Sequence, residues 1–123
     1  YGLIPDMSAS KTLLRLVRPD VARELIYTAR VVGGEEAARI GLVTRLAADP
    51  RAEALALART IAGQSPQAIR AAKALCEEAP DLDVAAALRR ETELQLPLLG
   101  SPNQLEAVQA VMTRRPATFR DPE

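Results

Sequence analysis

Tyr1, Tyr27 and Phe119 are the only aromatic side chains in this sequence. Any core must therefore be assembled from Leu, Val, Ile and Ala. Helix faces rich in Ala allow close approach but bury little area each. At 123 residues the chain is the size of one modest domain. Its 48% hydrophobic fraction is that of a chain that folds rather than one that stays disordered. A core this small is marginal alone, so several apolar faces are expected to pack against further chain or other subunits.

Charge and reactive residues then exclude function classes. Sixteen Lys and Arg balance sixteen Asp and Glu. The chain lacks the basic excess of a general nucleic-acid binder and the acidic excess of a disordered tail. It has no His, which excludes an imidazole general base, a Ser-His-Asp triad and a His-ligated metal within this chain. Cys76 is the single Cys, so an internal disulfide and a Cys-cluster metal site are excluded too. Charges interrupt the apolar residues too often for a membrane-spanning run, and no signal peptide is visible. A reducing cytoplasm is the expected location. The chain opens Tyr1-Gly2-Leu3-Ile4-Pro5 without Met, which predicts a C-terminal piece of a longer protein.

Punctuation along the chain predicts a mainly α architecture with a short α/β start. Tyr1 to Pro5 reads as extended. Asp6, Ser8 and Ser10 offer N-cap side chains for a first helix through Val17. Pro19 opens a second, through about Thr28. Arg30 to Gly33 reads as a short extended piece. Gly34 to Ile40 reads as a short helix with Glu35 and Glu36 in its first turn, ended by Gly41 at C′. Leu42 to Leu46 reads as a brief strand. After Pro50 everything reads as helix. Ser65-Pro66 and Ser101-Pro102 repeat one cap-plus-proline start, while Pro80-Asp81 and Pro97 mark breaks. The expected division is a mixed region over 1–47 and a helical region over 48–123.

The ordered set Gly2-Leu3-Ile4-Pro5-Asp6, Leu14-Arg15-Leu16-Val17, Ala22-Arg23-Glu24-Leu25, Thr28-Ala29-Arg30, Glu35-Glu36-Ala37 and Gly41-Leu42-Val43 resembles the C-terminal half of the enoyl-CoA hydratase/isomerase (crotonase) superfamily. Ala58, Ile61-Ala62, Ser65-Pro66, Ala68, Lys73 and Arg115-Pro116-Ala117-Thr118-Phe119 continue the resemblance over nearly the whole chain. It implies the C-terminal portion of a crotonase-like fold, a spiral ββα core followed by helices. Residues 1–47 would be the edge of that core, and 48–123 a helical region for oligomerisation near CoA. The implied substrates are acyl-CoA thioesters, hydrated or isomerised at a double bond in fatty-acid metabolism, with no metal or redox cofactor. CoA enters as part of the substrate. The implied assembly is a homotrimer or dimer of trimers. In that family two backbone N–H groups polarise the thioester carbonyl and carboxylates move protons. The oxyanion segment and the usual glutamates lie upstream of the part resembled, so this chain alone is expected to be inactive.

Asp6 falls where dienoyl-CoA isomerase members of the family carry a catalytic aspartate. That implies a proton shuttle or a group orienting water; the alternative is an N-cap for the following helix. Ser8-Ala9-Ser10 departs from the glycine-rich stretch usual there. Arg115, Phe119 and Arg120, with Arg114, form a basic-aromatic tail that the resemblance sets near the CoA nucleotide, often of a neighbouring subunit. Guanidinium groups suit phosphate and an aromatic face suits adenine. The alternative is dipole complementation by the arginines with Phe119 as a packing plug. Glu35 and Glu36 read as dipole partners, Lys73 as a solvated or salt-bridged residue, Cys76 as inert, and Arg89-Arg90-Glu91 as a solvated face. The competing function is a helical oligomerisation module without chemistry of its own.

Overall fold

Helix starts follow the proline and cap signals closely in the computed structural model, which describes residues 2–121. Seven α-helices occur among them: α1 (Ala9–Leu16), α2 (Pro19–Thr28), α3 (Gly34–Arg39), α4 (Pro50–Ala62), α5 (Pro66–Glu78), α6 (Val84–Gln95) and α7 (Pro102–Met112). Tight 3₁₀ turns at Ala79–Asp81 and Leu96–Leu98 follow α5 and α6. Each of those turns holds a proline, which cannot continue the i to i−4 ladder. The chain divides into two units, Tyr1–Glu53 and Ala54–Glu123.

In the first unit Val17, Ala22 and Ala37 are the buried apolar residues. α3 closes with a Schellman motif. The Leu42 amide donates to the Ala37 carbonyl at 2.8 Å, and the Gly41 amide to the Ala38 carbonyl at 3.3 Å. Gly41 sits at φ +83°, and a Cβ there would lie 3.1 Å from the Leu16 carbonyl oxygen. The expected strand over Leu42 to Leu46 does not form, and no strand occurs among the described residues. The Leu42 and Val43 amides both turn back to the Ala37 carbonyl and are spent on capping α3. Arg30 to Gly33 takes no regular form either. An extended piece becomes a strand only with a neighbour to share its ladder.

In the second unit the caps differ in use. Asp83 Oδ1 accepts from the Ala86 amide at 2.7 Å at the start of α6. Ser101 Oγ accepts from the Gln104 amide at 3.3 Å at the start of α7. The Gln104 side chain reaches back to the Gly100 amide at 3.2 Å, a variant of the capping box. Ser65 precedes α5 without a side-chain cap bond. α5 and α6 are joined by Arg90, whose guanidinium donates to both oxygens of Glu78 at 2.6 and 3.1 Å. Arg90 thus ties the two helices at the surface, while Arg89 and Glu91 beside it are exposed as a solvated face would be. The buried residues of this unit are Asn103 and Ala110, seven apart on one face of α7.

Many large apolar side chains remain on the surface. In the first unit they include Leu3, Ile4 and Met7; in the second, Leu88, Leu96, Leu105 and Met112.

Candidate functional site

Asp6 stands immediately before a strained turn. Its carbonyl accepts from the Ala9 amide at 2.9 Å. The two residues between, Met7 and Ser8, have φ of 50° and 64°. Positive φ at both central positions marks a type I′ turn, which is normally built from Asn, Asp and Gly. Methionine and serine hold it here against a steric penalty. The capping alternative for Asp6 is not realised. Ser8 occupies the N-cap position of α1 in the left-handed region and makes no side-chain cap bond. A capping side chain needs an extended backbone to reach the free amides. Asp6 is exposed.

The tail after α7 is built differently. α7 ends in a second Schellman motif, with the Arg115 amide on the Ala110 carbonyl at 3.0 Å and the Arg114 amide on the Val111 carbonyl at 3.2 Å. Arg114 takes the left-handed position at φ 53° that glycine usually fills. Beyond it the chain is held by side chains. The Arg115 guanidinium meets Glu106 in a two-pronged pair at 2.6 and 2.8 Å. It also donates to the Pro116 carbonyl at 3.0 Å. Glu106 further accepts from the Thr118 amide at 2.8 Å. The Arg115 guanidinium, and then the Thr118 amide, hold the Glu106 carboxyl down to about 2. Arg115 is pushed up in turn by that carboxylate.

Asn103 completes the attachment. Its side-chain oxygen accepts from the Arg120 amide at 3.0 Å, and its Nδ2 donates to the Arg120 carbonyl at 2.8 Å. Nδ2 also donates to Gln67 Oε1 on α5. Both amide hydrogens and the oxygen are engaged, at a residue only 4% exposed. Arg70 on α5 pairs with Asp121 at 3.2 Å. Arg115, Phe119 and Arg120 thus lie on one ordered segment, with Phe119 half-buried and Arg120 exposed. A groove of about 410 Å³ is bordered by Asn103, Glu106, Thr118 and Arg120. Neither Asn103 nor Glu106 is marked by a motif in the sequence; the only trace is a polar pair three apart on one helix face.

The remaining candidates have structural partners or none of chemical interest. Glu36 receives both terminal nitrogens of Arg30 at 2.8 Å, and Arg30 Nε donates to Glu24 at 2.8 Å, tying α2 to α3. That guanidinium lowers Glu36, and the two carboxylates raise Arg30. Glu36 is thus more than a dipole partner, while Glu35 is exposed in the first turn of α3. Lys73 lies 3.7 Å from Glu77 one helical turn on. Cys76 is exposed. No cluster of three metal-ligating side chains occurs among the described residues. A second groove of about 530 Å³ between α5 and α6 is lined by Ala68, Ala72, Leu75, Leu94 and Leu98 with Glu91 and Gln95, a surface suited to packing.

Comparison with known proteins gives a consistent family. The model for "Enoyl-CoA hydratase/isomerase" matches residues 1–122. The "Probable enoyl-CoA hydratase" of Rhizobium meliloti is 37% identical over 97% of this chain and 47% of its own length. The crotonyl-CoA hydratase of Syntrophomonas wolfei is 31% identical over 96% of this chain and 46% of its own. A solved enoyl-CoA hydratase from Bacillus anthracis superposes with a TM-score of 0.88 at 29% identity, over 96% of this chain and 46% of that one. The chain spans about half the length of the curated relatives it matches.

Proposed function

Since this chain belongs to the enoyl-CoA hydratase/isomerase family, as the helical C-terminal part of a crotonase-type fold, we propose that it serves a longer enzyme acting on acyl-CoA thioesters. The reaction is hydration of a 2-enoyl thioester or a shift of its double bond. The observation that carries this is the family match across residues 1–122. The thioester carbonyl is polarised by donors outside this chain. Asp6 is the group within it that moves a proton or orients water. The costly turn at Met7 and Ser8 supports that role, because strained backbone concentrates where function requires it.

The CoA nucleotide meets the tail. In this reading Arg120 takes phosphate and Phe119 adenine, while Arg115 contributes mainly by holding the segment to Glu106. CoA arrives as part of the substrate, and no metal or redox cofactor takes part. The enzyme works in the cytoplasm. It assembles as a homotrimer or dimer of trimers. The exposed Leu88, Leu96, Leu105 and Met112 support such contacts. The same exposure favours the second reading, in which this chain by itself is an oligomerisation module without catalysis.

The test is turnover of crotonyl-CoA by the longer protein and by the 123-residue chain. The longer protein should hydrate or isomerise the thioester, and the chain alone should match a blank. Asp6→Asn in the longer protein should lower turnover by roughly 10²-fold with unchanged melting, the cost of losing a proton-transfer group. Normal turnover in that variant would remove Asp6 from the chemistry.

A further inference from the structure

We propose that Asn103 and Glu106 are positioning residues, latching the segment from Arg115 to Arg120 onto α7 so that Phe119 and Arg120 meet the nucleotide end of a CoA thioester already ordered. The proposal rests on the reading of that segment as the nucleotide contact, and adds what makes the contact competent.

The latched segment has no secondary structure of its own. After Met112 the chain adopts neither helix nor strand as far as Asp121. Irregular segments with few buried contacts are ordinarily loose unless something ties them down. Here the ties come from two side chains one turn apart on α7. Asn103 exchanges two hydrogen bonds with the backbone of Arg120, at 3.0 and 2.8 Å, much as a neighbouring strand would. Glu106 binds the Arg115 guanidinium with both oxygens and the Thr118 amide with one. The two ties bracket Phe119 from either side. Asn103 is itself anchored to α5 through Gln67, so the latch is rigid on its helix side.

Stability alone does not explain the placement. The segment buries little, with Phe119 only half-buried and Thr118 and Arg120 exposed. The hydrogen bonds of the buried Asn103 repay its desolvation, and they are spent on a surface segment that buries little in return. That placement makes sense where the surface must be ordered before a ligand arrives. A flexible phosphate-binding arm loses affinity to the entropy of ordering, and a preordered one does not. Neutralisation of the Glu106 carboxylate by Arg115 also lets a phosphate approach Arg120 without a bare negative charge beside it.

The experiment uses the longer protein with Asn103→Ala, Glu106→Gln and Arg120→Ala. Two substrates are compared: crotonyl-CoA and the crotonyl thioester of N-acetylcysteamine, which has no nucleotide. Amide exchange is followed at Thr118 and Arg120. In both latch variants those amides should exchange faster. KM for crotonyl-CoA should rise about tenfold, with kcat and the small-thioester kinetics unchanged. Arg120→Ala should raise KM for crotonyl-CoA with its own segment still protected. If the latch variants leave the amides protected, or open them without raising KM while Arg120→Ala does raise it, the latch is overturned and the nucleotide reading stands. If Arg120→Ala leaves KM unchanged, the nucleotide reading falls and the latch role with it. Parallel loss of small-thioester turnover in the latch variants would mark general damage and overturn the positioning role. A protein that turns over neither thioester overturns both.

Discussion

Replacing Gly41 with Ala tests whether the end of α3 is set by backbone geometry at one residue. Gly41 sits at φ +83°, where an L side chain costs about 1–2 kcal/mol. The added Cβ would also stand 3.1 Å from the Leu16 carbonyl oxygen. That oxygen belongs to the backbone at the end of α1 and cannot swing aside, so crowding adds about 1 kcal/mol at the low end of overpacking costs. Against this, Ala restricts the unfolded chain and returns about 0.4–1 kcal/mol. The net loss is about 2 kcal/mol, which corresponds to roughly 30-fold in an opening equilibrium. Gly100 provides the control. It has φ +74°, but a Cβ added there would meet nothing within 4 Å. Gly100→Ala should therefore cost only about 0.5–1 kcal/mol, roughly 2- to 5-fold. Amide hydrogen exchange reads both locally. The Leu42 amide, bonded to Ala37 at 2.8 Å, should exchange roughly 30-fold faster in Gly41→Ala. The Ser101 amide, bonded to Leu98 at 3.1 Å, should change much less in Gly100→Ala. Equal effects at the two sites would refute the role of the Leu16 carbonyl, and an unchanged Leu42 amide would refute backbone control of the helix end altogether.

Other perturbations follow from single contacts. Asp83→Ala removes the cap on the Ala86 amide and should cost about 1 kcal/mol in urea unfolding, whereas Ser65→Ala, at a helix start without a side-chain cap, should cost only a few tenths. Ser8→Gly relieves a left-handed backbone at φ 64°; the relief of about 1–2 kcal/mol outweighs the added freedom of the unfolded chain, so the variant should be more stable by about 0.5–1 kcal/mol in the same assay. Glu106 is depressed from 4.5 to about 2 by Arg115 and the Thr118 amide, so its contribution is present above pH 4.5 and is lost as pH falls through about 2. Pepsin cleavage beside Phe119 should therefore rise over that window, and Glu106→Gln should remove the pH step.

The helices could be read from the chain because their signals are local. Gly41 is identifiable as the end of α3 from the glycine alone, since the left-handed turn it makes requires little from elsewhere. Pro19, Pro66 and Pro102 each open a helix for the same reason. The strand over Leu42 to Leu46 failed on a different kind of fact. Its residue types suit an extended chain, but a strand is defined by its partner. Two of its amides had already been claimed by the Ala37 carbonyl. Identical local signals can also end differently. Ser65-Pro66 and Ser101-Pro102 are the same device, yet only Ser101, extended at ψ 154°, accepts an amide with its side chain; Ser65 at ψ 117° does not.

The tail shows where local reading stops. Arg115, Phe119 and Arg120 stand out in sequence because their side chains are chemically suited to a phosphate and a ring. The residues that organise them do not stand out. Asn103 and Glu106 lie 17 and 12 positions from their backbone partners Arg120 and Thr118, and on a helix they read as an ordinary polar face. Only the fold brings the partners together, and it reassigns Arg115 when it does so. A guanidinium that binds both oxygens of Glu106 and the Pro116 carbonyl has most of its donors committed before any ligand arrives. Among the arginines of the tail it is therefore the one that shapes the surface, leaving Arg120, attached through its backbone alone to Asn103, to present its charge. A Lys at position 115 would keep that charge and lose the two-pronged grip on Glu106. Arg115→Lys should therefore loosen the Thr118 amide, whereas Arg120→Lys should leave it protected.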